Sequence, residues 1–471
     1  MAGETREVDY LIIGNSAAGV TAAEFLSMAD PGASILMVSH EAHDAYGRPL
    51  ISYLIEGKTD RAHLRYKDPD FYVSRDIATL FGPQFEAVSL DAQAHEAALA
   101  DGTRIRYGKC LMATGSVAFV PPIEGREGKV NVHSFMTLDD AIGAWEDVAA
   151  ATQAAHAAGR ESRVVVIGGG LIGMKAAEAL SHHADKIDVF DRSARILPAV
   201  LDEAGSHVME RLLAPHGISC HPAMSVSELI GEGGRVSACR LTDGTELPCD
   251  AVVVAVGVRP AVALAEAAGA QTGRGLIVGP DLRTTLPDVY AAGDVCQVRD
   301  TLDGSEHPLA LWPNAVRQGR IAAMFMAGAP QAEPDEGSFA VNAVDFFETS
   351  LLTAGIINPA PDSGCEVRAS EGAGTYAKFV LRDGKLVGYV LLNRPDDAGV
   401  YTAMIESGID ASALSPEAFD RPPLNLDFPA QARWERLHKC YPAGRDRLGW
   451  PTESGRGPQA SRETAKERSL A

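Results

Sequence analysis

The chain has 471 residues, 46% of them hydrophobic and 22% charged, the make-up of a folded protein with room for about three domain cores. A formal net charge of −21 argues against nucleic acid or an anionic membrane surface as a general partner. No apolar run approaches the roughly 18 residues that cross a bilayer, and the start MAGETREVDY lacks a charged-then-apolar leader, so a cytoplasmic protein is expected. The cysteines, at 110, 220, 239, 249, 296, 365 and 440, include no C-x-x-C; reduced, mostly buried thiols are expected rather than a metal cluster or a local dithiol.

The first predicted unit is a strand from Tyr10 to Ile13, a turn Gly14-Asn15-Ser16-Ala17-Ala18-Gly19, an Ala-rich helix from Val20 to Met28, and a strand from Ser34 to Val38. Such a turn aims helix N–H groups at a phosphate. Ser16 stands where a middle glycine is usual, which narrows the turn and adds a hydroxyl donor. The first carboxylate after the second strand is Glu41, the candidate for a ribose. Arg48-Pro49 then sets an extended lead-in to a helix and offers a guanidinium to phosphate oxygens. An Asp101-Gly102 turn predicts a hairpin between Glu96 to Leu99 and Arg104 to Tyr107. A separate strand, Tyr107 to Met112, is expected to stop at Ala113-Thr114-Gly115, and Pro121, Pro122 and Gly125 mark a linker.

The clearest unit spans Arg163 to Asp191. Val164 to Ile167 reads as a strand buried on both faces, ending at Gly168. Gly168 permits the tight turn, Gly170 lets backbone approach a pyrophosphate, and Gly173 lets a helix starting near Leu171-Ile172 pack on the strand. The next strand ends in Asp191, 18 residues after Gly173, placed to accept from ribose hydroxyls. That carboxylate favours NADH and makes NADPH the weaker candidate; the neighbouring Arg192 softens the preference. A helix from Ala199 to Pro215, strands near 225–230 and 235–241, and a core strand from Asp250 to Val256 follow, leading to Gly257. Beyond a linker after Gly328 come strands at 377–381 and 386–392 and a helix at 398–405, and the stretch from Ser454 is expected to be disordered. Two dinucleotide units in one chain imply two dinucleotides, and hydride exchange between them is the usual reason.

Ala113-Thr114-Gly115, the turn Gly168 to Gly173, Gly257-Val258-Arg259-Pro260, Tyr290-Ala291-Ala292-Gly293-Asp294-Val295 and Trp312-Pro313-Asn314-Ala315 occur here in one order. In this the chain resembles the pyridine-nucleotide disulphide oxidoreductase superfamily, and most of all its branch without a redox disulphide, similar to the FAD/NAD portion of nitrite reductase large subunits and to rubredoxin reductases. The resemblance implies an α/β fold of the glutathione-reductase type with two Rossmann-like domains. The FAD domain would occupy 1–125 and 258–330, with an NAD domain at 126–257 inserted in it. A C-terminal α+β interface domain would cover 338–430 and a partly disordered tail 431–471. It implies FAD and NADH as cofactors, a homodimer, and a small redox protein, oxygen or a quinone-like molecule as acceptor. It also implies that Asp294, after Gly293, holds the flavin ribityl chain and that Trp312, Pro313 and Asn314 lie along the flavin edge.

The chain departs from its relatives in two places. Disulphide-reducing relatives carry a cysteine near the place of Pro49, whereas none occurs here before Cys110. Relatives also pair a glutamate after the second phosphate turn with a lysine near the flavin; here Lys175 and Tyr53 occupy those places, and a more positive nicotinamide pocket is expected. The reading is thus an NAD(P)H-dependent FAD oxidoreductase in which the cofactors carry the chemistry and Tyr53 and Lys175 are the near-flavin candidates. The alternatives are an NADH-responsive assembly switch with little turnover, and a disulphide or persulphide reductase using Cys440 or Cys296.

Overall fold

The structure is a computed structural model that describes residues 5–411 and most of 414–430. The first sheet grows from β1 (Thr5–Ile13), followed by α1 (Ala17–Ala29), β2 (Ile35–Ser39), the short helix α2 (Ile51–Ile55), β3 (Ile77–Phe81), β4 (Ala87–Asp91), β5 (Glu96–Leu99) and β6 (Arg104–Met112). Its strand order is β3-β2-β1-β6-β5-β4. Alternation along β1 serves two faces: Tyr10 and Ile12 pack into the core under α1, while Leu11 and Ile13 enter the core on the opposite side.

The hairpin forms as expected between β5 and the start of β6, but its second arm and the following strand, expected as separate elements, are one strand. β6 runs parallel to β1 from Arg104 opposite Thr5 to Met112 opposite Ile13. Its first half pairs antiparallel with β5 and its last three residues pair with Val289–Ala291, so the two halves answer to different partners.

The chain next forms a helix that the sequence reading missed, α3 (Leu138–Ala157), opened by a capping box in which Asp140 N–H donates to Thr137 Oγ1 and Thr137 N–H to Asp140. A second sheet contains β7 (Arg163–Ile167), then α4 (Leu171–Ser181), β8 (Lys186–Asp191), α5 (Glu203–Leu213), β9 (Ile218–Pro222) and β10 (Ala251–Val254). All its pairings are parallel, in the order β9-β8-β7-β10 with Val132–His133 at the edge. Val164 and Val166 face α3 and α4, and Val165 and Ile167 face a three-stranded meander at 226–248, which is why this run is apolar throughout. The helix expected from Ala199 begins at Glu203, because Asp202 caps it by accepting Gly205 N–H at 3.0 Å.

The strand β11 (Val289–Ala291) returns the chain to β6 of the first sheet, and α6 (Trp312–Met326) packs on α1. A Cβ on Gly319 would lie 2.3 Å from Ala18 O, so glycine is what lets the two helix backbones touch. The last sheet is antiparallel, built from β12 (Val341–Phe346), β13 (Thr349–Gly355), β14 (Cys365–Gly372), β15 (Thr375–Arg382) and β16 (Lys385–Leu392) in the order β12-β13-β16-β15-β14, with α7 (Ala398–Ser407) against it. Among the described residues no helix is long and apolar enough to cross a membrane. The tail from 431, with Cys440 and the stretch from Ser454, lies outside the described residues.

Candidate functional site

Two strand-turn-helix units carry the same backbone solution. Gly14 at φ +120° and Gly168 at φ +112° make the turns, and a Cβ on either would collide with a carbonyl of the neighbouring strand end, Ala113 O at 2.1 Å or Ala255 O at 2.3 Å. Gly19 and Gly173 serve closeness rather than φ: a Cβ there would stand 2.0 Å from Gly14 O and 1.9 Å from Gly168 O. The middle positions behave otherwise. Gly170 faces open space, with nothing within 4 Å of an added Cβ, and Ser16 stands at the N-cap of α1 without its hydroxyl accepting a helix N–H. Leu171 and Ile172 follow as the first residues of α4 and pack partly buried on its core.

The first turn opens on a cleft of about 660 Å³. Its wall brings together Gly14, Ser16, Ala17, Ala18, Glu41, Arg48, Pro49, Ala113, Thr114, Gly115, Gly293, Asp294 and Trp312, residues drawn from five separate stretches. Asn15, Ser116, Met136 and Arg259 join them without having been read as site residues; only the neighbours of motifs could have suggested Asn15 and Ser116. Gly19 lies beneath the wall. Pro313 and Asn314 are not on it: Asn314 is buried and donates to Leu309 O at 3.4 Å, bracing the start of α6. Gly257 sits where the chain crosses back, its carbonyl accepting Phe119 N–H at 2.9 Å, and it too is off the wall.

Electrostatics in the cleft are unbalanced in two places. Asp294 is partly buried, and that desolvation pushes its carboxyl above the ordinary range against the pull of Ser116, which donates at 3.2 Å, and of the Arg48 charge. Two helices, α1 and α6, begin at this cleft with no side-chain cap, so their first N–H groups and positive ends are free for an anion. Glu41 meets Arg48 in an ion pair and accepts Tyr46 Oη at 2.6 Å. The expected ribose acceptor and the expected phosphate cation therefore hold each other, and Arg48 also reaches Met136 O at 3.3 Å. Trp312 is held edge-on against Tyr66, ring centroids 4.9 Å apart. A largely apolar cleft with anion-seeking ends and the partly buried carboxyl of Asp294 fits an adenine dinucleotide carrying a flavin.

At the second turn Asp191 ends β8. Its carboxylate accepts Gly169 N–H at 2.6 Å and Ser193 N–H at 2.7 Å, so it braces the turn that it was expected to serve from a distance. Arg192 is exposed. Open space at Gly170, an uncapped α4 and this carboxylate fit a second dinucleotide. Tyr53 and Lys175 meet: the ammonium lies 4.8 Å from the ring centroid. The positive pocket expected from Lys175 is corrected by two carboxylates with fully buried side chains, Glu56 and Glu178, which pair with it.

The thiols divide in the same way. Cys110 and Cys296 are fully buried, and burial pushes both above the ordinary thiol range. Cys239 and Cys249, however, have Sγ atoms 3.4 Å apart on the meander, a proximity that the spacing rule had counted against. Their shared hydrogen bond and burial push the Cys249 thiol above the ordinary range, which leaves it protonated and unreactive.

The pyridine nucleotide-disulphide oxidoreductase family matches residues 8–319. Over 409 residues the chain is 30% identical to the NADH-dependent phenylglyoxylate dehydrogenase subunit epsilon of Aromatoleum evansii, covering 86% of this chain and 93% of that one. It is 29% identical to the NAD(P)H nitrite reductase of Bacillus subtilis over 86% of its own length and 48% of that protein's. A solved ferredoxin reductase from Rhodopseudomonas palustris superposes with a TM-score of 0.76 at 27% identity, covering 88% of this chain and 98% of that one.

Proposed function

The chain belongs to the pyridine nucleotide-disulphide oxidoreductase family, and from that premise we propose that this NAD(P)H-dependent FAD oxidoreductase draws hydride from NADH and hands electrons to a small iron–sulphur or rubredoxin-like protein. When bound, nicotinamide and flavin supply the chemistry, hydride exchange between them and single-electron exchange outward. The protein's part is to bind, orient and polarise. The free ends of α1 and α6 and the Ser16 hydroxyl would take up anionic oxygens, Arg48 stands beside them with its charge shared with Glu41, and Asp294 would accept hydroxyl hydrogens along the ribityl chain. Asp191 would accept from the adenosine ribose of the nicotinamide nucleotide, where a 2′-phosphate would be repelled.

The observation that carries this reading is the duplicated turn, with glycines demanded by backbone clash at equivalent positions and open space at Gly170, where a phosphate would lie. The wall of the first cleft holds no cysteine among the described residues, and the buried Cys296 is kept protonated, which supports an outward electron transfer over a thiol reductase. The ferredoxin reductase among the similar structures supports a protein acceptor. A cytoplasmic homodimer is the setting we propose for it. The test is anaerobic titration of the FAD-loaded protein with NADH, followed by a panel of ferredoxins, rubredoxins, quinones and oxygen. Bleaching of the flavin band and fastest reoxidation by an iron–sulphur protein are expected; a flavin band unmoved by NADH would overturn the proposal.

A further inference from the structure

Helix α4, which carries the second phosphate turn, is gripped from two sides by buried charges that the proposed chemistry does not use. Glu178, with no exposed surface, accepts from Lys175 Nζ through one oxygen and from Phe347 N–H at 2.5 Å through the other. Lys175 in turn donates to Asp345 O at 3.0 Å and lies 3.4 Å from Glu56. Lys58 completes the set, 2.6 Å from Glu56 and 3.9 Å from Glu178. Three stretches distant in sequence thus converge. Glu56 and Lys58 follow α2, just beyond the Arg48-Pro49 wall of the first cleft; Glu178 and Lys175 ride on α4; Asp345 and Phe347 belong to the β12–β13 hairpin.

Two features set this apart from ordinary packing. Buried ion pairs rarely stabilise a fold more than apolar groups of the same size would, so Glu56, Glu178 and Lys175, closed off at the rim by the half-exposed Lys58, point to orientation rather than stability. Phe347 moreover has φ +54°, a left-handed conformation that a bulky side chain seldom takes, and its N–H is the one that Glu178 accepts. A strained residue in the turn between β12 and β13 is held by a carboxylate of the nucleotide-binding helix.

We propose that Glu178 is a positioning residue that fixes α4 against α2 and against the β12–β13 hairpin, so that the spacing of the two dinucleotides depends on the C-terminal sheet. This rests on the flavin–nicotinamide reading above. The test compares FAD-loaded wild type with Glu178→Gln, which keeps an acceptor for Phe347 N–H but removes the charge facing Lys175. Flavin bleaching at saturating NADH should slow about 10- to 100-fold, as expected when reacting groups are misplaced by about an ångström. The half-saturating NADH concentration should change less than about threefold, the signature of lost positioning rather than lost binding. Hydrogen exchange across 341–349 should rise. A lowered melting temperature with unchanged bleaching and exchange would overturn the proposal. If Glu178→Gln does not fold, Lys58→Met at the half-exposed rim takes its place; smaller changes of the same sign are expected, and no change in either readout overturns it. Wild type that NADH fails to bleach would count against the proposed function instead, and the exchange readout would still report on the cluster.

Discussion

Adding one methyl group at Gly170 should separate nucleotide binding from folding. Gly170 has φ −79° and ψ −177°, an extended conformation open to alanine, and an added Cβ would meet no protein atom within 4 Å. Removing a glycine gains about 0.4–1 kcal/mol from the unfolded chain. Alanine is a poorer N-cap than glycine by a comparable amount, so the two effects cancel to within about 1 kcal/mol. The same methyl would enter the space where a pyrophosphate should approach the turn. Losing one charge-assisted hydrogen bond there costs about 1.5–3 kcal/mol, which is about a 10- to 100-fold weaker NADH. Gly173→Ala is the contrasting variant: its Cβ would lie 1.9 Å from Gly168 O, a backbone atom that cannot step aside. Overpacking of that kind destabilises by about 1–3 kcal/mol. Calorimetric titration with NADH, beside thermal unfolding of both variants, gives the comparison. Gly170→Ala that melts like wild type and binds NADH like wild type would refute the phosphate cradle.

Three further tests probe the remaining charges. Asp294 is held above the ordinary carboxyl range by burial, so its stabilising contribution is complete below that range and is lost as pH rises through its raised value. FAD-free Asp294→Asn should therefore unfold at a higher temperature than wild type at pH 7, with the gap closing toward pH ~4, while retention of FAD after gel filtration falls; a gap independent of pH would contradict the buried charge. Arg48→Met strands the buried Glu41 and should cost about 3 kcal/mol in urea unfolding, largely recovered by adding Glu41→Gln. Asp191→Asn keeps one acceptor for the turn but loses the charge, so NADH affinity should drop while NADPH affinity holds or rises; an equal loss of both would leave Asp191 a brace and nothing more.

What could be read from the sequence was whatever is local. A β-branched run, a glycine turn and an alanine-rich helix are each written within about one turn's reach of their own partners, and both dinucleotide units were legible for that reason. Helix α3 was not, although Thr137 and Asp140 spell its cap, because its buried stripe of Leu138, Ala141, Ala144, Val148 and Ala155 is mostly alanine and contrasts little with the exposed alanines beside it. The single strand β6 was divided because its two halves face different neighbours, and no local pattern says that one strand can serve both. The charge cluster was invisible for a different reason. Lys175 meets Glu56 across 119 residues and Glu178 meets Phe347 across 169, distances at which only the completed fold decides who is a partner.

The same contrast explains why the two turns differ where they do. At Gly14 and Gly168, and again at Gly19 and Gly173, the clash lies about 2 Å away in the protein's own backbone, so the fold itself demands glycine in both copies. At the middle position the protein makes no such demand: one copy has Gly170 beside empty space, the other Ser16 with an unspent hydroxyl. A position left free by the fold but filled differently in two otherwise matching turns is a position answering to what each turn must hold. On this argument Ser16→Gly should leave the stability of the first unit within a few tenths of a kcal/mol, since glycine caps nearly as well as serine, and any loss of FAD would report the hydroxyl's contact with the ligand alone.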